Sequence, residues 1–309
     1  MISTPEFSDR VQTTWLEPFA HLRQLVGNDT LLVAVDPELG SSRRCRLLHF
    51  DTGALCVTLS DELANDIEPL LYPDCDVEGF LAALDTAGVG LSEAESEEIF
   101  YFTVEDEEGI LADHDLAEVG EESRPEASSD VSEATDDAAG EDTADEDATE
   151  DATEDAAPED SASDDATEGS GTDDALEDPD LAVTIRVLGA ADIKDFAVFQ
   201  AANSADDLDE AFVELDHWAV VGAYAADGNL VAVATAYPWR DHPVADVGVL
   251  TSPDHRGQKL GSAVVRAVAQ RVLRRGFSPQ YRCEGDNDAS KATAASAGFS
   301  HFATLRIIR

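Results

Sequence analysis

The most informative segment of the chain is Val249 to Val265, which reads VLTSPDHRGQKLGSAVV. Its first residues are apolar or β-branched, as in a buried strand, and its last residues open an amphipathic helix that we place at Leu260–Arg274. Between them lies a turn with small residues and two cations, Arg256 and Lys259. Backbone N–H groups at a helix N-terminus, close approach at glycine and nearby positive charge together form a cradle for a phosphate or a similar anion.

The same turn resembles the coenzyme A pyrophosphate loop of the GNAT superfamily of N-acetyltransferases. That loop has Gln or Arg, two residues, Gly, one residue, then Gly or Ala. Arg256 matches its first position and Gly261 its last, whereas Lys259 replaces the usual Gly. The resemblance covers 181–309 and implies an α/β (α+β) fold, with a central mixed, mostly antiparallel sheet flanked by helices. Without it, Arg256 and Gly257 would simply end a strand and start a helix, and the arginines of that helix would form a solvated face.

Acetyl-CoA is the cosubstrate that this resemblance implies, and no metal is expected. In the family the fourth and fifth strands diverge, and the pantetheine arm bonds to backbone groups of the fourth, here on Val249 and Thr251. An Asn that opens the fourth helix commonly contacts the coenzyme, although Asn287 is equally well explained as a helix N-cap. The coenzyme-binding residues predicted on these grounds are Val249, Leu250, Thr251, Arg256, Gly257, Gln258, Lys259, Leu260, Gly261, Ser262, Asn287 and Ser290.

The general acid of the implied acetyl transfer is missing from its usual position on the fourth helix. Many members of the family carry a Tyr on the fourth helix that protonates the departing thiolate, and Ala294 stands at that position here. Tyr281, on the preceding strand, is a candidate to replace it. In the resembling enzymes a neutral amine attacks the thioester directly after a base removes its proton. Asp246 is the candidate base, with Glu284 and Asp286 behind it, and each also has a plain interpretation as a solvated or capping carboxylate.

The four cysteines, Cys45, Cys56, Cys75 and Cys283, show no CxxC pairing and no His at zinc-ligand spacing, which favours reduced thiols over disulfides or a metal site. Cys283 could act as an acylated nucleophile, but a buried strand cysteine is the simpler interpretation. The chain starts without the basic and apolar stretches of a signal peptide, and no apolar run reaches the roughly 18 residues of a membrane span. We therefore expect a cytoplasmic protein.

Acidic residues dominate the chain before residue 181. The formal charge is −48, of which about −21 falls before residue 121, about −25 on 121–180 and about −2 beyond. This excess indicates a halophilic protein, adapted to salt that screens self-repulsion, and it disfavours nucleic-acid binding. Residues 119–180 consist mainly of Asp, Glu, Ala, Ser and Thr, and they predict a disordered acidic linker because little apolar surface is available to offset chain entropy. Recruitment of a basic partner by this segment is the alternative.

Residues 1–118 predict a smaller N-terminal α/β domain without an evident catalytic cluster. Hydrophobic spacing predicts a helix from Val11 to Val26, a final strand at Ile99–Val104, and helix N-caps at Asp61 and Asp76. The C-terminal part contains Tyr-Pro-Trp at Tyr237 to Trp239, Asp-Val-Gly-Val at Asp246 to Val249 and Pro-Gln-Tyr-Arg at Pro279 to Arg282. With these motifs, the two parts together resemble a bacterial and archaeal group of two-domain GNAT proteins, in which the first domain is a GNAT-like companion without a coenzyme loop. A long disordered linker argues against a fixed interface between the two.

The sequence therefore predicts an acetyl-CoA-dependent N-acetyltransferase acting on a small-molecule or protein amine. Neither a nucleic acid nor a membrane is expected as a partner, and the oligomeric state stays open, a monomer included. The alternative is a non-catalytic acyl-CoA-binding or regulatory module that retains the coenzyme loop. A third hypothesis is an acidic scaffold that works through its linker.

Overall fold

The computed structural model describes residue 4 and residues 6–39, 44–72, 74–90, 95–113 and 183–308. Within these residues the chain forms one 11-stranded mixed sheet flanked by helices, which confirms the α+β fold. The strands are β1 (Arg23–Gly27), β2 (Leu31–Val35), β3 (Cys45–His49), β4 (Leu55–Leu59), β5 (Glu95–Tyr101), β6 (Thr184–Val187), β7 (Ala219–Tyr224), β8 (Leu230–Pro238), β9 (Val244–Thr251), β10 (Ser278–Glu284) and β11 (Ser300–Ile308). The helices are α1 (Asp9–Ala20), α2 (Asp61–Ile67), α3 (Val77–Thr86), α4 (Val104–Ala112), α5 (Ile193–Ala201), α6 (Ala205–Ala211), α7 (Leu260–Arg274) and α8 (Asp288–Ala297).

The first helix is shorter than the hydrophobic spacing predicts. α1 ends at Ala20, two residues after Pro18, and the chain then turns into β1. Proline removes an intrahelical hydrogen bond and favours an end near this point. β1 pairs antiparallel with β2, starting with Arg23 opposite Val35. The prediction of a continuous helix to Val26 is therefore wrong, because the apolar residues after Ala20 belong to a short strand whose pairing outweighs the local spacing.

Two further boundaries in this part of the chain differ from the prediction. Ser60, not Asp61, caps α2 through its side chain, whereas Asp76 caps α3 as predicted. β5 ends at Tyr101, earlier than predicted, because Thr103 is the N-cap of α4. Short polar side chains at this position accept main-chain N–H groups that the first turn of a helix leaves free. The N-cap therefore fixes where each of these strands or loops gives way to a helix.

The parts of the chain on either side of the acidic segment share the sheet. β5 lies between β10 and β11 and is antiparallel to both, and β11 also pairs with β3. The sheet runs β1-β2-β4-β3-β11-β5-β10-β9-β8-β7-β6. Met1–Glu121 and Pro179–Arg309 accordingly form one compact unit. The expectation that no fixed interface joins the two parts is wrong, because strands of each part are interleaved with strands of the other.

The division into 1–118, 119–180 and 181–309 remains an interpretation of the sequence. The predicted acidic linker lies outside the described residues. Beyond it, α7 begins and ends at the predicted residues and packs on β7, β8 and β9. Its fully buried side chains Val264, Val268 and Val272 recur at helical spacing, and burial of each contributes about 1.5–3 kcal/mol. Of the helices described, none has the length and apolar character needed to cross a membrane.

Candidate active site

β9 and β10 diverge partway along their length. They pair in parallel as far as Val247 opposite Tyr281, and the pairing then stops although β9 continues to Thr251. On its other side β9 stays paired with β8 up to its last residue. Among the residues that the structure describes, no strand covers the remaining edge of β9 from Gly248 onward. These residues line a cavity of about 770 Å³.

The loop after β9 brings a helix N-terminus to the same cavity. Pro253–His255 forms one turn of 3-10 helix, and α7 then starts at Leu260 with no side chain capping its first N–H groups. Gly257 and Lys259 both have left-handed backbone, with φ of 78° and 60°. Outside glycine this conformation costs about 1–2 kcal/mol. Lys259 therefore holds a backbone conformation that glycine adopts without strain, and it adds an ammonium.

Gly261 lies in the first turn of α7, against the end of β9. An added Cβ would lie 3.2 Å from Thr251 Oγ1 and 3.7 Å from Val249 Cγ2. Both the glycine and these neighbours line the cavity. Because Gly261 has no side chain, the space between α7 and β9 stays open, whereas a branched side chain would fill it.

Arg256 ties the loop to the end of β9 and to α6. Its Nε donates to the carbonyl oxygen of Thr251 at 3.1 Å, and its Nη2 donates to Asp207 Oδ1 at 3.0 Å. The other oxygen of Asp207 accepts from the Ser204 hydroxyl at 2.6 Å. This hydroxyl, with help from Arg256, holds the pKa of Asp207 below its ordinary value even though burial acts in the opposite direction. The carboxylate consequently stays ionised near neutral pH.

The start of α8 borders the cavity on the side of β10. Asn287 Oδ1 accepts the main-chain N–H of Ser290 at 2.9 Å, which confirms its interpretation as an N-cap. Its side-chain nitrogen donates to Glu210 of α6. The Tyr281 hydroxyl lies 3.4 Å from Ser290 Oγ. All four side chains line the cavity, and the contact of Asn287 with a coenzyme stays a prediction.

Asp246 is engaged inside the sheet, and its side chain is only 7% exposed. Its carboxylate accepts from Arg282 Nη2 at 2.7 Å and Nε at 3.2 Å, and also from Gln280, whose amide oxygen accepts from the Tyr101 hydroxyl. Glu97 of β5 accepts from Arg282 Nη1 at 3.0 Å. One guanidinium is thus held between a buried carboxylate and a more exposed one. Through Glu97, the N-terminal part of the chain reaches the cavity.

Two phenols and one thiol line the cavity and are protonated near neutral pH. Burial raises the pKa of Tyr281 to about 12, and burial with the nearby Asp246 raises that of Tyr237 to about 12. Burial also raises the pKa of Cys283 to about 11, so this cysteine lacks the thiolate that a nucleophile needs. Ala294 is fully buried and has no ionisable group, so the position that holds a Tyr in the resembling family offers no acid here. The tyrosines can donate a proton.

The cavity collects nearly all of the predicted site residues. Of those named from the sequence, Gln258 and Asp286 are exposed and do not line it, whereas Asp246, Tyr281, Glu284 and the rest of the predicted coenzyme residues do. Further side chains that line it are not predicted from the sequence: Glu97, Asp207, Glu210 and Tyr237. No local motif marks Glu97, Asp207 and Glu210, because the pairing of β5 with β10 and the position of α6 bring them to the cavity. Tyr237 reaches it from β8, opposite Asp246 of β9.

A helix N-terminus at one end of a gap between diverging strands suits an extended ligand that carries phosphates. The residues present fit coenzyme A: main-chain N–H groups, Arg256 and Lys259 would hold its phosphates, and the uncovered edge of β9 would pair with its amide-bearing arm. Residues 192–299 match the family model described as acetyltransferase (GNAT) family. This segment of the chain is accordingly similar to the GNAT family of acetyltransferases.

Several solved structures are similar to the chain. A GNAT-family acetyltransferase from Colwellia psychrerythraea is 21% identical, with 40% of this chain and 49% of that chain covered and a TM-score of 0.33. A putative GNAT-family acetyltransferase from Novosphingobium aromaticivorans is 23% identical, with 45% of this chain and 60% of that chain covered and a TM-score of 0.33. A functionally unknown conserved protein from Staphylococcus epidermidis is 11% identical, with 77% of this chain and 69% of that chain covered and a TM-score of 0.36.

The chain therefore spans about half of the first of these chains and 60% of the second. The comparison with curated proteins gives no match.

Proposed function

We propose that the protein is an N-acetyltransferase that moves an acetyl group from acetyl-CoA to a primary amine by direct attack in a ternary complex. One observation supports this most strongly: the gap between β9 and β10 and the N-terminus of α7 open into the same cavity. An extended thioester can lie in such a gap like an additional strand, with its phosphates at the helix. The acceptor is a small-molecule or protein amine.

The coenzyme end of the site rests on main-chain donors between Gly257 and Ser262. These N–H groups lie at the start of α7, where the helix dipole favours negative charge, and the Lys259 ammonium adds a full charge. Main-chain groups of Val249 and Thr251 offer hydrogen-bond partners for the amides of the arm. The bound coenzyme supplies an activated acetyl thioester, and the protein orients it.

Tyr281 is the proposed acid and Glu284 the proposed base. Tyr281 lies at the point where the strands part, and its raised pKa of about 12 keeps it able to donate a proton to the leaving thiolate. Glu284 is exposed at the cavity and can take a proton from the incoming ammonium. We assign Asp246 a positioning role, because protonation would deprive the half-buried guanidinium of Arg282 of its closest partner.

Acetyl transfer to a panel of primary amines, read out as free thiol, tests the proposal. The assays should extend to molar KCl, because a formal charge of −48 favours self-repulsion at low salt. We expect Gly261→Val to abolish transfer and to weaken acetyl-CoA binding in calorimetry, because its side chain enters the space beside Thr251. Gly109→Ala is the matched control, since an added Cβ there meets nothing within 4 Å.

The outcomes of this experiment separate the two candidate functions. Binding of acetyl-CoA without transfer to any amine would support the non-catalytic acyl-CoA-binding module, which the buried alanine at position 294 favours. Absence of acetyl-CoA binding by the unmodified chain over the whole salt range would contradict both.

A further inference from the structure

α6 carries two carboxylates that reach the coenzyme end of the cavity. Asp207 and Glu210 are three positions apart in the helix and therefore lie on the same face. Asp207 accepts a hydrogen bond from Arg256 of the loop at 3.0 Å, and Glu210 accepts one from Asn287 at the start of α8. Both carboxylates line the cavity. The short helix thus bridges two elements that border the proposed coenzyme site.

The two residues that α6 engages are both predicted to contact the coenzyme. A guanidinium uses the same nitrogen donors for a phosphate as for a carboxylate. Arg256 Nε is already bonded to the carbonyl oxygen of Thr251, so Nη2, which holds Asp207, is one of the donors left for a phosphate. The side-chain amide of Asn287 likewise donates to either kind of oxygen. Asp207 and Glu210 therefore compete with phosphates for these donors.

Exposed contacts hold much of α6. None of its residues is fully buried, and Leu208 and Ala211 are the side chains that pack against a core cluster. In the ion pair, the Arg256 side chain is 51% exposed and that of Asp207 is 31% exposed. Exposed ion pairs contribute little to stability. Elements with few buried contacts and exposed polar bonds are those that open locally.

We infer that α6 is an internal competitor of the coenzyme, which holds Arg256 and Asn287 until phosphates replace its carboxylates. This inference rests on the proposed function. The carbonyl oxygen of Ala211 also occupies the space that a methyl group on Gly248 would need, so α6 packs over one face of β9 at the point where β9 and β10 part. The measured affinity for the coenzyme then includes the free energy of releasing the helix.

Calorimetric titration with coenzyme A compares Asp207→Asn with Asp206→Asn. Both changes remove one negative charge from the first turn of α6, and of these two residues Asp207 is the one bonded to Arg256. We expect Asp207→Asn to lower the dissociation constant about two- to five-fold, as follows from the loss of an exposed ion pair, and Asp206→Asn to change it less. In an Arg256→Gln background the effect of Asp207→Asn should disappear. Equal effects of the two variants, or an effect that persists in that background, would overturn the inference.

Hydrogen exchange of the unmodified chain, with and without coenzyme A, reports the displacement directly. We expect slower exchange at 257–262 and faster exchange at 205–211 when coenzyme A is present. Protection of the loop with unchanged or slower exchange in α6 would contradict the inference and leave the proposed function standing. No protection of the loop, together with no heat of binding, would contradict the proposed function itself.

Discussion

At the residue scale, Lys259 combines a backbone requirement with a charge. Its φ of 60° lies in the region that glycine enters freely and that other residues enter at a cost. The side chain places an ammonium at the uncapped N-terminus of α7, beside the cavity. In the proposed site, attraction of a diphosphate explains why a lysine stands where the resembling loops have glycine.

Lys259→Gly separates the two contributions. The free energy of unfolding should stay the same or rise by about 1 kcal/mol, because glycine adopts the left-handed conformation without strain. Coenzyme A should bind about two- to five-fold more weakly, because the ammonium is lost. Denaturant unfolding and calorimetry measure the two effects. Unchanged affinity would show that this lysine does not contact the phosphates.

If Tyr281 is the general acid, kcat should have a specific dependence on pH. Its protonated, donating form is present below a pKa of about 12 and is lost only as the pH rises through that value. This group should therefore cause no fall in kcat between about pH 7 and pH 10, and Tyr281→Phe should lower kcat about 100-fold or more while acetyl-CoA still binds. Tyr237→Phe is the control, because that phenol has a similarly raised pKa. Full kcat in Tyr281→Phe would remove the residue from the mechanism.

At the scale of single elements, the sequence predicts those whose signals are local. The strand, the turn with glycine and the amphipathic helix around Arg256 follow one another directly, so β9, the loop and α7 can be placed from the sequence. β1 cannot, because its residues form a strand only by pairing with β2. Glu97 and Asp207 cannot be assigned to the site from the sequence either, because contacts with distant residues bring them there. They reach it through the pairing of β5 with β10 and through the ion pair between α6 and the loop.

The contact of α6 with β9 predicts the effect of a small substitution. A methyl group at Gly248 would overlap the carbonyl oxygen of Ala211, so Gly248→Ala should lower the free energy of unfolding by about 1–3 kcal/mol. Gly90→Ala, where an added Cβ meets nothing within 4 Å, should change it by less than about 0.5 kcal/mol. Urea unfolding at a fixed KCl concentration measures both. Equal stabilities of the two variants would show that α6 does not pack against this face of β9.

At the scale of the whole molecule, residues 183–308 share their sheet and their core with the N-terminal residues. β5 is hydrogen-bonded to β10 on one side and to β11 on the other. Trp15 of α1 donates to the Tyr101 hydroxyl at 2.7 Å and stacks on Trp239. One core cluster contains Tyr101 together with Phe302. The sequence suggests two separate domains because composition changes sharply at the acidic segment, and a change of composition carries no information about strand pairing across it.

Residues 181–309 produced alone should therefore fail to fold cooperatively. Without β5, β10 and β11 lose their shared neighbour, and the buried faces of both strands meet water. We expect poor amide dispersion in NMR spectra and a broad thermal transition, both corrected by co-expression with residues 1–121. A well-dispersed spectrum from 181–309 alone would show that β5 is dispensable.

In the proposed function, main-chain amides at the start of α7 hold the phosphates of coenzyme A. Titration of the isotope-labelled full chain with coenzyme A, followed by amide chemical shifts, tests it directly. We expect the largest shifts at 257–262 and along 248–251. Amides of that loop that stay unmoved at saturating coenzyme A would contradict it.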